Sequence, residues 1–274
     1  MIRGMFTIAT VNVNGIRAAF RKGMGEWLES TNPDVVLMQE VRATDEIVAD
    51  LLGEGWKFVH QACNVKGRAG VAIATREDAA ITRIGLPNLL SEGAVEPDVD
   101  TGRWIEADLA LPSGEQLTVV STYIHSGTAG TEKMDQKYSH LERVTHRLGE
   151  LMASGQHVVV AGDINIAHTN NDIKNWKGNL KTAGFLPEER AYLDKWFASG
   201  WNDLGRLHAG DVPGPYTWWS NRGQAFDNDS GWRIDYQLVT PSLVPLASNV
   251  RVDRASSYDT RWSDHAPLLV DYNL

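Results

Sequence analysis

Val158-Val159-Val160-Ala161-Gly162-Asp163-Ile164-Asn165 is an unbroken apolar run that ends in polar residues. The short apolar run has the pattern of a buried strand, so the chain delivers Asp163 and Asn165 to a strand end. About a hundred residues downstream, Ser263-Asp264-His265-Ala266 places an acid and an imidazole just before another apolar run, Leu268 to Tyr272. Two such polar sites, far apart in sequence, imply one constellation assembled from several strand ends. Carboxylates, an asparagine and a histidine suit a divalent metal and a water that attacks a phosphate.

Outward from this stretch the same logic repeats. Thr7 to Val13 alternates like a strand, with Gly15 at the turn that follows. Met24, Trp27 and Leu28 have helical spacing, Asn32-Pro33-Asp34 breaks that helix, and Val35 to Met38 is a second strand. Ile47 to Leu52 reads as a short helix. Phe58–Gln61, Gly70–Thr75, Trp104–Leu111 and Leu117–Tyr123 read as strands. Pro112-Ser113-Gly114-Glu115 marks a hairpin turn between the last two. Met134, Tyr138, Leu141, Val144, Leu148 and Leu151 recur every three or four residues, as in an amphipathic helix. His140 and His146 fall off that stripe, which predicts solvent-facing side chains. Residues 166–187 read as an ordered polar loop, Glu188–Ser199 as a helix, and Tyr216–Ser220 and Trp232–Leu238 as strands. Many strands with a few helices in each half predict α+β layering, with two sheets face to face and helices outside.

Composition sets bounds. No apolar run approaches the roughly 18–20 residues that span a bilayer, so no membrane partner is expected. The opening Met1-Ile2-Arg3-Gly4-Met5 does not resemble a signal peptide. Cys63 is the one cysteine among 274 residues, which excludes an internal disulfide and a cysteine-rich zinc site. A cytoplasmic location is the simplest reading, and no stable protein partner is predicted. The net charge of −9 argues against binding driven by counterion release alone. It weighs little for an enzyme whose acidic residues surround a cation. Lys66-Gly67-Arg68 and Lys174, Lys177, Lys181 are local basic clusters, each also compatible with a solvated loop.

The strand ends carry the chemistry. Asn12 and Asn14 end the first strand, Gln39-Glu40 the second, and Tyr123 the hairpin. Asp235 lies in Arg233-Ile234-Asp235-Tyr236, and Asp264-His265 precede the last strand. Polar side chains at the tips of apolar strands are costly in a core but useful in a cleft. Glu40 is the best candidate metal ligand, because Mg²⁺ needs few carboxylates beside a phosphate. Asp163 can orient or deprotonate the attacking water, with Asn165 fixing its position. Asp235 can hold His265 in one tautomer, as in hydrolase triads.

The segments Asn12-Val13-Asn14-Gly15-Ile16-Arg17, Gln39-Glu40, Gly162-Asp163-Ile164-Asn165, Gly231-Trp232-Arg233-Ile234-Asp235-Tyr236 and Ser263-Asp264-His265-Ala266-Pro267 resemble those of the exonuclease III family of abasic-site endonucleases. Tyr216-Thr217-Trp218-Trp219 and Gly178-Asn179-Leu180-Lys181 extend the likeness, which runs from about residue 6 to the C-terminus. The resemblance implies a four-layer α/β sandwich of the deoxyribonuclease-I type, with two packed mixed sheets flanked by helices and residues 1–274 as a single domain. It implies Mg²⁺, with Mn²⁺ as the alternative, at Glu40 with Asn12, Asp163, Asn165 and Asp264 around it. Tyr123, Asp163, Asn165, Asp235 and His265 would be catalytic. Asn14, Arg42, Trp218, Trp232 and Ile234 would meet the substrate, with the last three lining a pocket for a flipped-out abasic sugar. Trp219 is read as core packing.

The implied activity is DNA repair. The enzyme would hydrolyse the phosphodiester 5′ to an abasic site in double-stranded DNA, leaving a 3′-hydroxyl, and also degrade or trim 3′ ends. This sequence departs from the family at Val41-Arg42, where Thr-Lys is usual, at Ile124-His125-Ser126-Gly127, and at Trp176. Two other readings stand beside it: a phosphoesterase on another substrate, and a non-catalytic nucleic-acid-binding regulator. Whether His265 acts as base or cationic stabiliser stays open.

Overall fold

The computed structural model describes residues 5–86, 96–111 and 113–274. Met1–Gly4 and Pro112 of the hairpin turn lie outside the described residues. In chain order the elements are β1 (Phe6–Asn12), α1 (Ile16–Arg21), α2 (Met24–Thr31), β2 (Val35–Gln39), α3 (Asp45–Leu52), β3 (Lys57–Gln61), β4 (Val71–Thr75), β5 (Ile81–Ile84), β6 (Trp104–Ala110) and β7 (Gln116–Tyr123). There follow α4 (Glu132–Ala153), β8 (His157–Asp163), α5 (Pro187–Ala198), β9 (Asn202–Asp203), α6 (Leu204–Ala209), β10 (Asp235–Val239), β11 (Ala247–Val252) and β12 (Leu268–Tyr272).

The strands form two six-stranded sheets, ordered β11-β12-β1-β2-β4-β3 and β5-β6-β7-β8-β10-β9. Both are mixed: β1–β2 and β7–β8 run parallel and the other pairs antiparallel. The period-2 alternation of a strand sorts side chains to opposite faces. Val159 and Ala161 of β8 and Leu117 and Val119 of β7 face Ile8, Leu37 and Ile73 of the other sheet, forming the central core. Val158, Val160 and Val120 point outward onto Leu141, Val144 and Leu148 of α4 and Leu193 and Trp196 of α5. On the far side Val11, Val36 and Met38 pack on Ile16, Met24, Leu28 and Val48 of α1–α3. The result is the expected four-layer sandwich. It explains why residues 158–161 are apolar without a break: β8 is buried on both faces. Each fully buried Val or Leu contributes about 1.5–3 kcal/mol, so these two contact layers hold β7 and β8 in place.

The helix ends follow local chemistry. Thr131 caps α4 by accepting the Lys133 amide proton, and Pro187 occupies the first turn of α5, where its missing N–H is harmless. Among the described residues no helix is long and apolar enough to cross a membrane.

Three expectations need correction. His140 is fully buried, because the chain around Asp100 and His125 covers this flank of α4, whereas His146 is exposed as predicted. Tyr216–Ser220 is no strand: Trp218 makes only isolated bridges, to Trp232 and to His265. The strand read at 232–238 begins at Asp235. The 166–187 stretch is ordered by short 3₁₀ turns at Asn170–Asp172 and Trp176–Asn179, and it buries Ile166, Ala167, Ile173 and Phe185.

Candidate active site

Register brings the polar strand ends together. Asn12 at the end of β1 lies opposite Gln39 at the end of β2. In the other sheet Asp163, ending β8, lies opposite both Tyr123 of β7 and Asp235 of β10. These tips meet at one edge of the sandwich, around an open cavity of about 800 Å³. Asn14, Glu40, Arg42, Tyr123, Asp163, Asn165, Trp218, Trp232, Ile234, Asp264 and His265 all line it. Asn12 and Asp235, both fully buried, stand behind its wall.

Hydrogen bonds link the two sheets across this edge. Asn12 Nδ2 donates to Glu40 Oε1 at 3.0 Å and to Asp163 Oδ2 at 2.9 Å. Tyr123 Oη donates to Glu40 Oε1 at 2.6 Å, and Arg42 forms an ion pair with Glu40. Arg42 also donates to Asn14 Oδ1 at 2.9 Å, and Asn14 Nδ2 donates to Asp264 Oδ1 at 2.9 Å. The Trp218 indole N–H donates to Asp264 Oδ2 at 3.0 Å. His265 Nδ1 lies 2.8 Å from Asp235 Oδ2, and its Nε2 lies 3.7 Å from Asp163 Oδ2.

Backbone geometry aims these groups. Asn14, Glu40, Arg42 and Asn165 all have φ between 46° and 54°, a left-handed conformation that costs a residue other than glycine of order 1–3 kcal/mol. The surrounding contacts hold it: the Asn165 amide donates to Asp163 Oδ1 at 2.9 Å and Asn165 Nδ2 to the Ile124 carbonyl at 2.9 Å. Gly162 makes the parallel β7–β8 contact feasible. Its φ is 148°, and a Cβ there would sit 1.9 Å from the Thr122 carbonyl oxygen.

The electrostatics follow from burial among acids. Burial works against an imidazolium at His265, but Asp235 and then Asp163 overcome it and raise its pKa to about 10. Burial, with Asp235 and Glu40 nearby, also pushes Asp163 upward against the opposing pull of His265. Burial and the Glu40 charge hold the Tyr123 hydroxyl protonated well above its usual range. Asp264, despite burial, is lowered by His265 and by the Trp218 and Asn14 hydrogen bonds.

Glu40, Asp163, Asn165 and Asp264 put oxygen donors on the cavity wall, which suits a hard cation. Asp163, Asp235 and His265 bring three metal-capable atoms within 4.8 Å of one another. Asn12 turns its amide nitrogen, not its oxygen, toward both carboxylates, so it enters this arrangement as a bridging donor. A second group of three, Asp100, His125 and His140, lies apart from these residues.

Several supporting residues escaped sequence reading. Thr217 Oγ1 accepts the amide protons of Ile234 and Asp235 at 3.2 and 3.1 Å, fixing the start of β10. Arg103 stacks 4.8 Å from the Tyr123 ring centre. Lys181 and residues 126–129 join the cavity rim. Thr217 lay inside a recognised motif, and Lys181 inside a basic cluster; Arg103 carried no local signal. Trp219 is buried against Phe226, as expected for core packing.

The model of the endonuclease/exonuclease/phosphatase family matches residues 9–265. An exodeoxyribonuclease of Bacillus subtilis is 31% identical over 96% of this chain and 98% of its own length. The solved structure of an AP endonuclease from Archaeoglobus fulgidus superposes with a TM-score of 0.84 at 29% identity, covering 98% of this chain and all of that one. A 3′ phosphatase from Neisseria, solved bound to a product DNA hairpin, superposes with a TM-score of 0.81 at 26% identity, covering 98% of this chain and 100% of its own. With the sandwich, the strand-tip polar network and these relatives in agreement, the chain belongs to the endonuclease/exonuclease/phosphatase family, among its exodeoxyribonucleases and abasic-site endonucleases.

Proposed function

We propose that the protein is a metal-dependent DNA repair nuclease that hydrolyses the phosphodiester 5′ to an abasic site and leaves a 3′-hydroxyl. Removal of nucleotides and phosphates from 3′ ends would be further activities of the same site. The observation that carries this reading is the chain of polar contacts Glu40–Asn12–Asp163–His265–Asp235, in which Glu40, Asp163 and His265 line the cavity and Asn12 and Asp235 stand behind them. The relatives support the substrate class: one acts as an AP endonuclease, another as a 3′ phosphatase with DNA bound.

Asp163 stands where it can align a water, its Oδ1 fixed by the Asn165 amide. His265, held by Asp235 and surrounded by acids, carries a proton, which favours the cationic stabiliser over the base: its Nε2–H can donate to a phosphate oxygen as charge builds. Tyr123 offers a hydroxyl from the neighbouring strand end. Trp218 and Trp232, edge to face at 6.2 Å, form with Ile234 an apolar wall that fits a sugar without its base and crowds a normal nucleotide. Mg²⁺, or Mn²⁺ in its place, held by Glu40 with Asp163, Asn165 and Asp264 nearby and Asn12 bridging, would neutralise phosphate charge. Asn14 and Arg42 would steady the flanking backbone; an arginine offers a planar fork where lysine offers a point charge. We further read residues 1–274 as one domain, since both sheets share one core, and assign it to the cytoplasm as part of the same proposal.

The test is cleavage of a duplex bearing one abasic site, with Mg²⁺ and with EDTA. The expected result is incision 5′ to the lesion that EDTA abolishes. Cleavage that ignores EDTA and leaves an unsaturated 3′ aldehyde would identify a lyase and overturn the proposal.

A further inference from the structure

We propose that the buried Lys137–Glu189 pair is a positioning device for the catalytic cavity, with Lys137 setting the place of Asn165. The inference rests on the nuclease reading above. Lys137 of α4 and Glu189 of α5 are both fully buried, and Lys137 Nζ lies 2.5 Å from Glu189 Oε1. A buried ion pair is weak evidence of stabilisation, because apolar side chains of similar volume often serve as well or better. The partners of this pair point to a different use.

Lys137 Nζ also donates to the main-chain carbonyls of Asn165 at 2.9 Å and Ser126 at 3.3 Å. Its ammonium therefore hydrogen-bonds two carbonyls and is ion-paired with one carboxylate. Glu189 Oε2 in turn accepts the amide protons of Gly184 at 2.6 Å and Leu186 at 3.1 Å. Asn165, Ser126 and Gly184 each line the cavity, and they come from three segments distant in sequence. One ion pair thus ties the loop after β8, the loop after β7 and the approach to α5 at a common point.

The tie matters most at Asn165. Its φ is 54°, so the residue is held against its backbone preference. Its amide nitrogen and side-chain nitrogen donate to Asp163 and to Ile124, while its carbonyl is anchored by Lys137. With nitrogen, side chain and carbonyl all engaged, the residue beside Asp163 has one orientation. Gly184 packs against it, a Cβ there lying 3.1 Å from the Asn165 oxygen and 3.2 Å from the Trp232 ring. The same brace therefore reaches the apolar wall.

Lys137→Met combined with Glu189→Gln removes both charges and keeps side-chain volume. Native protein and this variant are compared on an abasic duplex with Mg²⁺, by thermal melting and by amide hydrogen exchange. The expected variant melts within a few degrees of native and loses about 100-fold in kcat, the scale of a displacement of about 1 Å in a site. Its KM changes less than about threefold, and exchange quickens in peptides covering 163–166 and 184–186. Lys137→Arg, which keeps the charge with a different reach, should fall between, near a tenfold loss at unchanged KM; it decides the matter if the double variant does not fold. Native kcat and native exchange in either folded variant would overturn the proposal. A native protein inactive on abasic DNA would instead defeat the nuclease reading, and the exchange experiment would still judge the brace.

Discussion

Two buried carboxylate–imidazole groups among the described residues behave in opposite ways. Asp235 and His265 face a further acid, Asp163, and among the described residues no lysine or arginine is hydrogen-bonded to either carboxylate. Asp100 meets His125 at 2.5 Å and His140 at 3.6 Å, but Arg143 forms an ion pair with the other carboxylate oxygen. In the first group excess negative charge drives His265 toward imidazolium. In the second the arginine answers the carboxylate. Burial then lowers His125, and burial lowers His140 to about 3, which keeps the His140 ring neutral. The first group has two acids and one imidazole, the second one acid and two imidazoles; under the proposed function that balance of charge suits the first to chemistry and the second to architecture.

The largest expected effect would break this distinction if absent. His265→Ala should lower turnover on abasic duplex by about 10²–10³-fold, the scale of losing one donor aimed at developing charge, with DNA affinity largely kept. His125→Ala should stay within about tenfold of native. Similar losses in both, measured by single-turnover cleavage, would erase the contrast.

Arg143→Met addresses the second group. Removing one partner of a buried pair destabilises by about 3–5 kcal/mol, to be read from urea unfolding at pH 7. The sign of its pH dependence is fixed: Asp100 is held below the usual carboxylate range, burial notwithstanding, by its His and Arg partners. Its contribution is present above the unfolded pKa of about 3.9 and fades as pH falls through the lower folded value. The gap between native and variant should narrow below about pH 4. A gap that is constant with pH would remove Asp100 from the account.

The smallest effect sharpens the picture. His140 is fully buried, and neither ring nitrogen has a hydrogen-bond partner within the described residues. An unsatisfied buried polar group costs about 1–3 kcal/mol, so His140→Phe should be neutral or stabilising, by up to about 1–2 kcal/mol in the same melts. Destabilisation beyond about 2 kcal/mol would mean that the ring is needed as an imidazole.

Much of this was legible in the sequence, for a physical reason. Strands such as Val35–Met38 and Val158–Ala161, and the α4 stripe, are governed by burial, and burial leaves a period in the apolar residues. The strand-tip residues were legible because polar groups interrupt those runs at their ends. β5 was not, since Ile81 and Ile84 are more than half exposed at a sheet edge and follow no core rule. His140 departs from the expectation because helical spacing describes one face of α4, while the flank is met by Asp100 and His125 from distant segments. Lys137 left no trace for the same reason: a charge on a helix reads as solvated until its distant partner is known.

Gly162 has a consequence for anyone reading a saturation mutagenesis map of this protein. No side chain fits against the Thr122 carbonyl, so every replacement must pry the adjoining strands apart and tilt their tips. Position 162 should therefore score as intolerant as the reacting groups although it meets no substrate, and a ranking by sensitivity alone would list a missing atom among the catalysts.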